Sequence, residues 1–166
     1  MNRTVFFAFA SALPAAAFVA PAHSQQIVVT SDRSVAAFVE EVSANLDREL
    51  ARTYVSARSS PSGFAIVRFE CGEDGRPENV TLFRSARDRE VNRIARMAVT
   101  RLPSLHPLPG ELRDGQLLQA NIVIANSEAS YERLAGRLRR SEEQRIASAG
   151  KPDAALAFSA RAGAKS

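Results

Sequence analysis

The chain has 166 residues, a single cysteine and a formal net charge of +4. This length accommodates one domain with a modest core, and a lone cysteine excludes an internal disulfide. Tryptophan is absent, there are two tyrosines, and no basic strip is interleaved with aromatic side chains. We therefore expect no nucleic-acid partner.

The first 24 residues have the pattern of a secretory signal peptide. Arg3 provides a positive start, Val5 to Ala20 form an apolar run, and Ala20-Pro21-Ala22 offers small residues for cleavage. We expect a periplasmic protein that is secreted by a cleaved signal peptide. The alternative is an uncleaved inner-membrane anchor, although Pro14 interrupts a run shorter than the ~20 residues of a usual span.

A helix is predicted to follow the signal peptide. Ser31-Asp32 can cap its N-terminus, and apolar residues then recur at intervals of three and four. The residues of this stripe are Val35, Phe38, Val39, Val42, Leu46 and Leu50. The stripe is expected to pack on the domain, with a surface for a partner helix as the alternative. The serine-rich segment from Thr53 to Ser62 then forms a linker.

A β-hairpin is predicted from Gly63 to Arg84. Ala65, Val67, Phe69 and Cys71 alternate with Phe64, Ile66, Arg68 and Glu70, which is the period of a strand. Asp74-Gly75 is a strong hairpin signal. The second strand spans roughly Glu78 to Arg84, and Pro77 is expected at its start because proline cannot donate to a strand ladder.

A helix and a third strand complete this central segment. Apolar residues at helical spacing predict a helix from Val91 to Leu102, capped by Ser85 or Asp88 and ended by Pro103. A proline-rich bend follows. Alternation of apolar residues from Gln116 to Ala125 then predicts the third strand.

The C-terminal part is predicted to form a charged, solvated helix from Ala129 to Ile146 and a mobile, Ala-, Ser- and Gly-rich tail from Gly150 to Ser166. The predicted organisation is a signal peptide at 1–24, an N-terminal helix and linker at 25–62, a folded domain at 63–126, and a charged helix with a disordered tail at 127–166.

The central segment resembles the C-terminal domain of TonB-family energy transducers. The matching features, in chain order, are Val67 and Phe69, the turn Asp74-Gly75-Arg76, Asn79-Val80, Ser85, the helix Val91 to Leu102, the bend from Leu105 to Pro109, and the closing apolar strand. The resemblance implies an α+β fold: a small β-β-α-β domain whose three-stranded antiparallel sheet packs on a helix. The N-terminal helix and the C-terminal helical tail are additions to it.

The resemblance also implies a function in transmembrane transport. Domains of this type bind a short peptide segment of an outer-membrane transporter by adding it to a sheet edge. Carried to this chain, the expected edge is the third strand, at Gln119, Asn121 and Val123, with Arg113 and Asp114 in the loop before it. The predicted function is a periplasmic protein-binding module for such a transporter or another envelope protein.

Three alternatives remain open. An uncleaved N-terminus would make the chain a full energy transducer, although a retained membrane helix and a Pro-rich spacer are not evident in the sequence. The chain could instead be an envelope structural protein whose domain and arginine-bearing tail bind cell-wall glycan. The same sheet edge could also pair two copies into a homodimer.

The sequence predicts neither an enzyme nor a cofactor or metal site. Cys71 lies in a strand and His106 in the bend, and a core thiol beside a bend histidine is favoured over a catalytic pair. Gly72 and Gly75 lie in a hairpin rather than at a helix N-terminus, which excludes a phosphate-binding loop there.

Overall fold

The computed structural model describes residues 33–55, 60–148 and 155–163. Within these residues the chain forms a mixed α+β fold of three helices and a four-stranded sheet. The predicted signal peptide and the Ser31-Asp32 cap lie outside the described residues. In the described part, no helix combines the length and apolar character needed to cross a membrane.

Seven elements follow one another in the described residues. They are α1 (Val35–Val55), β1 (Gly63–Cys71), β2 (Pro77–Arg84), α2 (Arg89–Thr100), β3 (Leu117–Ala125), α3 (Glu128–Ser148) and β4 (Leu156–Gly163). The predicted hairpin and central helix are confirmed, and β2 begins at Pro77 as expected. Asp88 rather than Ser85 caps α2, since its Oδ1 accepts the Glu90 N–H at 2.8 Å.

The sheet differs from the prediction. Its strand order is β2-β1-β3-β4, with β1 antiparallel to both neighbours and β4 parallel to β3. A three-stranded antiparallel sheet was therefore the wrong expectation, and so was a mobile tail at 156–163. The physical reason is that β4 buries Phe158, Ala160 and Ala162 on one face, while α3 provides the long crossover that a parallel partner requires.

The main core lies between one face of the sheet and helices α1 and α2. Phe38 and Leu46 of α1, Ile94 of α2, and Phe69 and Ile122 of the sheet are all fully buried in it or nearly so. The predicted stripe of the first helix thus packs on the domain. Because α1 continues to Val55, the linker before β1 is shorter than expected.

The opposite face of the sheet is covered in part by α3. Ile66 of β1, Val123 of β3 and Leu138 of α3 form a second, smaller core, with Tyr131 and Leu134 packed against it. Alternation along β1 explains this layer, since its residues face the two sides in turn. The prediction of a charged, solvated helix is therefore wrong for this apolar side of α3.

Gly75 allows the bend after α2 to close on the β1–β2 hairpin. Its φ is +78°, and an added Cβ would lie 2.3 Å from Ser104 Oγ. We expect Gly75→Ala to lower the free energy of unfolding by about 1–3 kcal/mol, because it adds both backbone strain and this overlap. Urea denaturation followed by circular dichroism measures the change. Gly110→Ala, in the same bend, is the control because its Cβ would meet nothing within 4 Å; equal losses would contradict the packing of bend on hairpin.

Candidate functional site

The predicted partner-binding strand lies inside the sheet. Strand β3 pairs with β1 on one side and with β4 on the other, and its register with β4 runs from Leu118–Leu156 to Ala125–Gly163. The expectation that Gln119, Asn121 and Val123 border a free edge is therefore wrong. The chain's own C-terminal strand occupies that edge.

The three residues share the face of β3 that looks toward α3. Gln119 is buried, and its Nε2 donates to Asn121 Oδ1 and to Glu142 Oε2, both at 3.0 Å. Its Oε1 accepts from Arg68 Nε at 3.1 Å. The bonds of Gln119 to Glu142 and to Arg68 involve charged groups and are stronger than neutral ones, so this network fixes α3 relative to β1 and β3.

Asn121 and Val123 line a groove of about 470 Å³ between α3 and the β3–β4 pair. Leu138 and Tyr131 also contribute to its wall, and Ile146 stands at it with half of its surface exposed. Charged residues of both signs surround these apolar groups: Asp47 of α1, Arg139, Glu142 and Glu143 of α3, and Arg161 of β4. Such a lining suits a segment that carries both apolar and charged side chains.

The groove runs beside the outer edge of β4. Within the described ranges, no strand lies beyond β4. The backbone N–H of Arg161 points outward and donates to Asp47 Oδ1 at 2.8 Å. Because alternate residues of a strand turn their backbone groups the same way, Ala157 and Ser159 also direct theirs outward. Sequence reasoning missed this edge, whose one signal is the alternation of Leu156, Phe158, Ala160 and Ala162.

The opposite edge of the sheet is irregular. The β1–β2 pairing has two register shifts, and Asn79 adopts a φ of +51°. Bulges of this kind bend an edge strand and hinder the pairing of another strand with it. Strand β4, with an unbroken register of eight pairs, is therefore the more regular outer strand of the sheet.

The other two predicted residues lie at a different surface. Arg113 and Asp114 line an open cavity of about 620 Å³ together with His106, Leu108 and Leu112. The structure therefore divides the five predicted residues between two sites. Asn121 and Val123 line the groove, and Gln119 lies beside them in the hydrogen-bond network with Glu142 and Arg68. Arg113 and Asp114 line the open cavity.

Asp114 lies close to Cys71 and His106, the two reactive residues considered in the sequence analysis. The Asp114 Oδ1 lies 2.9 Å from His106 Nε2, and the candidate ligand atoms of Cys71, His106 and Asp114 all lie within 4.8 Å of one another. Burial, as the largest cause, and the negative charges of Asp114, Asp74 and Glu78 together raise the pKa of the Cys71 thiol to about 11. At neutral pH the thiol is therefore protonated and a poor nucleophile.

Comparisons with protein-family models, with curated proteins and with solved structures find no match to this chain. The resemblance to the TonB C-terminal domain therefore rests on the sequence pattern described above.

Proposed function

We propose that the chain is a periplasmic protein-binding module that adds an extended segment of another envelope protein to the outer edge of β4. The observation that carries the proposal is the regular outer side of β4, beyond which the described residues place no strand, beside a groove with apolar and charged walls. An outer-membrane transporter is the partner class that we propose, which would connect the module to transmembrane transport.

The backbone of β4 would supply the affinity. An added strand forms main-chain hydrogen bonds with the outward groups of the edge, and no catalytic residue is needed. Asp47 now accepts the outward N–H of Arg161. A carbonyl of the incoming segment can replace that carboxylate oxygen, so Asp47 protects the edge while no partner is bound.

The groove would supply the specificity. Successive side chains of a strand point to opposite faces of a sheet, so every second side chain of the added segment would face the α3 side. There Tyr131, Leu138 and Ile146 offer apolar contacts, while Arg139 and Glu143 offer charges of both signs. We therefore expect a bound segment to carry an apolar or a charged residue at every second position, on the side that faces α3.

The resemblance stated above supports the same mode of binding with one change. In TonB-type domains the edge of the sheet receives the transporter segment. In this chain β4 occupies the outer side of β3, so the receiving edge moves outward by one strand.

The outward N–H of Arg161 provides the test. Synthetic peptides covering the periplasm-facing segments of outer-membrane transporters are titrated against the protein, with binding measured by fluorescence anisotropy. We expect Arg161→Pro to raise the Kd of the bound peptide by about tenfold, because it removes one edge donor and sets a ring where the peptide backbone must approach. Arg161→Ala is the matched control, since it removes the same side chain but keeps the N–H.

Asp47→Ala gives an opposite and independent readout. It releases the Arg161 N–H from its intramolecular acceptor, so we expect the peptide to bind a fewfold more tightly. Absence of binding by every peptide would overturn the proposed function. Equal Kd values for Arg161→Pro and Arg161→Ala would instead show that peptides bind elsewhere than the β4 edge.

A further inference from the structure

Three segments of the chain converge where β1 ends. Cys71 is the last residue of β1, His106 lies in the bend after α2, and Asp114 lies in the loop before β3. Backbone hydrogen bonds join these segments. The Gly115 N–H donates to the Cys71 carbonyl at 2.8 Å, and the Leu105 N–H donates to the Gly75 carbonyl at 2.7 Å. The main chain next to each of the three side chains is therefore held in place.

We propose that Cys71, His106 and Asp114 form a binding site for one divalent transition-metal ion of the zinc class. Ligand atoms around a tetrahedral ion of this class lie about 3.3–3.8 Å apart, given metal–ligand distances of ~2.0–2.3 Å. The three atoms here lie within 4.8 Å of one another. Two small movements give that geometry. The widest separation between ligand atoms must shrink by up to about 1 Å, and the distance from His106 Nε2 to Asp114 Oδ1 must grow by about 0.4 Å.

The donor set determines the class of metal. Sulfur, imidazole nitrogen and carboxylate oxygen together suit zinc or cobalt, whereas calcium and magnesium prefer all-oxygen ligands. Asp74 and Glu78 lie close enough to act electrostatically on the Cys71 sulfur. These two carboxylates favour a cation near the sulfur, whereas Arg113, which lines the same cavity, opposes one at its outer side.

The site has one closed side and one open side. The Cys71 side chain is fully buried, whereas the His106 and Asp114 side chains are 35% and 53% exposed and line the open cavity. An ion would therefore enter from the cavity and keep a solvent molecule as its fourth ligand. Three protein ligands with one open position are the pattern of catalytic rather than structural zinc sites.

Binding of one metal ion would release one proton, which comes from the Cys71 thiol. The thiol of Cys71 gives up its proton to solvent as the sulfur–metal bond forms, and Asp114 exchanges its hydrogen bond with His106 for the metal. His106 binds as the neutral imidazole through one ring nitrogen. The complex then holds the metal, a thiolate, a carboxylate and an imidazole, with one proton released for each ion bound.

Cobalt(II) titration of the tag-free protein tests the site. A thiolate ligand gives a sulfur-to-cobalt charge-transfer band in the near ultraviolet, and tetrahedral cobalt gives intense visible bands. We expect both signals to saturate at one equivalent of cobalt and to disappear when zinc is added. A titration that lacks the charge-transfer band would overturn the proposal.

Variants distinguish the cluster from other metal-binding groups. Cys71→Ser should abolish the charge-transfer band, and Asp114→Asn should weaken zinc binding by at least the ~10–100-fold typical for loss of an outer-shell partner. Glu111→Gln, in the same loop but outside the cluster, is the control and should bind zinc like the native chain. Circular dichroism melts confirm that each variant is folded. Unchanged zinc affinity in a folded Cys71→Ser or Asp114→Asn protein would contradict the site.

This inference is independent of peptide binding at β4. Metal affinity in the presence and absence of a bound peptide therefore reports on two separate surfaces, and failure of either proposal leaves the other intact.

Discussion

Replacement of Phe158 by Ala is expected to lower the free energy of unfolding by about 3–5 kcal/mol. The Phe158 ring is fully buried in the main core. Its centroid lies 5.8 Å from that of Phe38 in an edge-on contact and 6.3 Å from that of Phe69 in a stacked one. Aromatic pairs add about 0.5–1.5 kcal/mol to the burial of their surface. Urea denaturation monitored by circular dichroism measures the loss.

Phe83→Ala is the matched control for this substitution. Phe83 lies on β2 with 46% of its surface exposed, and its main described contact is the Arg68 guanidinium, 3.6 Å from the ring centroid. A cation–π contact to a ring that is about half exposed contributes about 0.5–1 kcal/mol. We therefore expect a small loss at Phe83 and a large one at Phe158. Similar losses at both positions would show that β4 is not part of the core.

The pattern of the sequence predicts the middle of the chain well. Alternation along β1, the Asp74-Gly75 turn, the cap at Asp88 and the stop before Pro103 are local signals, and the structure confirms each of them. Local chemistry determines these features because turns, caps and strand period depend on residues close in sequence. The apolar stripe of α1 was equally informative, since a stripe at helical spacing must be buried somewhere.

The sequence did not reveal β4. Its inward positions are a partly buried Leu156, one phenylalanine and two alanines, and its other face carries Ala157, Ser159, Arg161 and Gly163. Small residues give a weak hydrophobic alternation, so composition suggested a mobile tail. The strand forms because Phe158 fills a space between α1 and the sheet, and because α3 returns the chain to the parallel side of β3. Both are tertiary effects that a local pattern does not contain.

The candidate sites depend on the same long-range contacts. Asn121 and Val123 were predicted to lie on an edge strand, but β4 covers that side of β3, so the outer edge of the described sheet is β4, where the Arg161 N–H donates to Asp47 of α1. His106 and Cys71 were identified as reactive residues without a common site. Closure of the bend over the hairpin, which Gly75 permits, unites them with Asp114.

Neighbouring residues of β3 allow a direct test of its two faces. Ile122 is fully buried in the main core, whereas Asn121 is partly exposed and lines the groove. Ile122→Lys would place an ammonium group among apolar side chains, where desolvation of the charge costs about 4 kcal/mol or more. Since natural domains have total stabilities of about 5–15 kcal/mol, we expect this variant to be largely unfolded or to melt at a much lower temperature.

Asn121→Lys makes the matched change one residue earlier, on the opposite face. There the new ammonium group can reach solvent through the groove. It also lies on the same side as the Glu142 carboxylate, since Gln119 donates hydrogen bonds to both Asn121 and Glu142. We expect a folded protein with a melting temperature within a few degrees of the native value and with weakened peptide binding, because the longer side chain occupies the groove. Circular dichroism melts and the anisotropy titration measure the two effects. A stable Ile122→Lys protein beside an unfolded Asn121→Lys protein would reverse the assignment of the faces and would remove the groove from the proposed function.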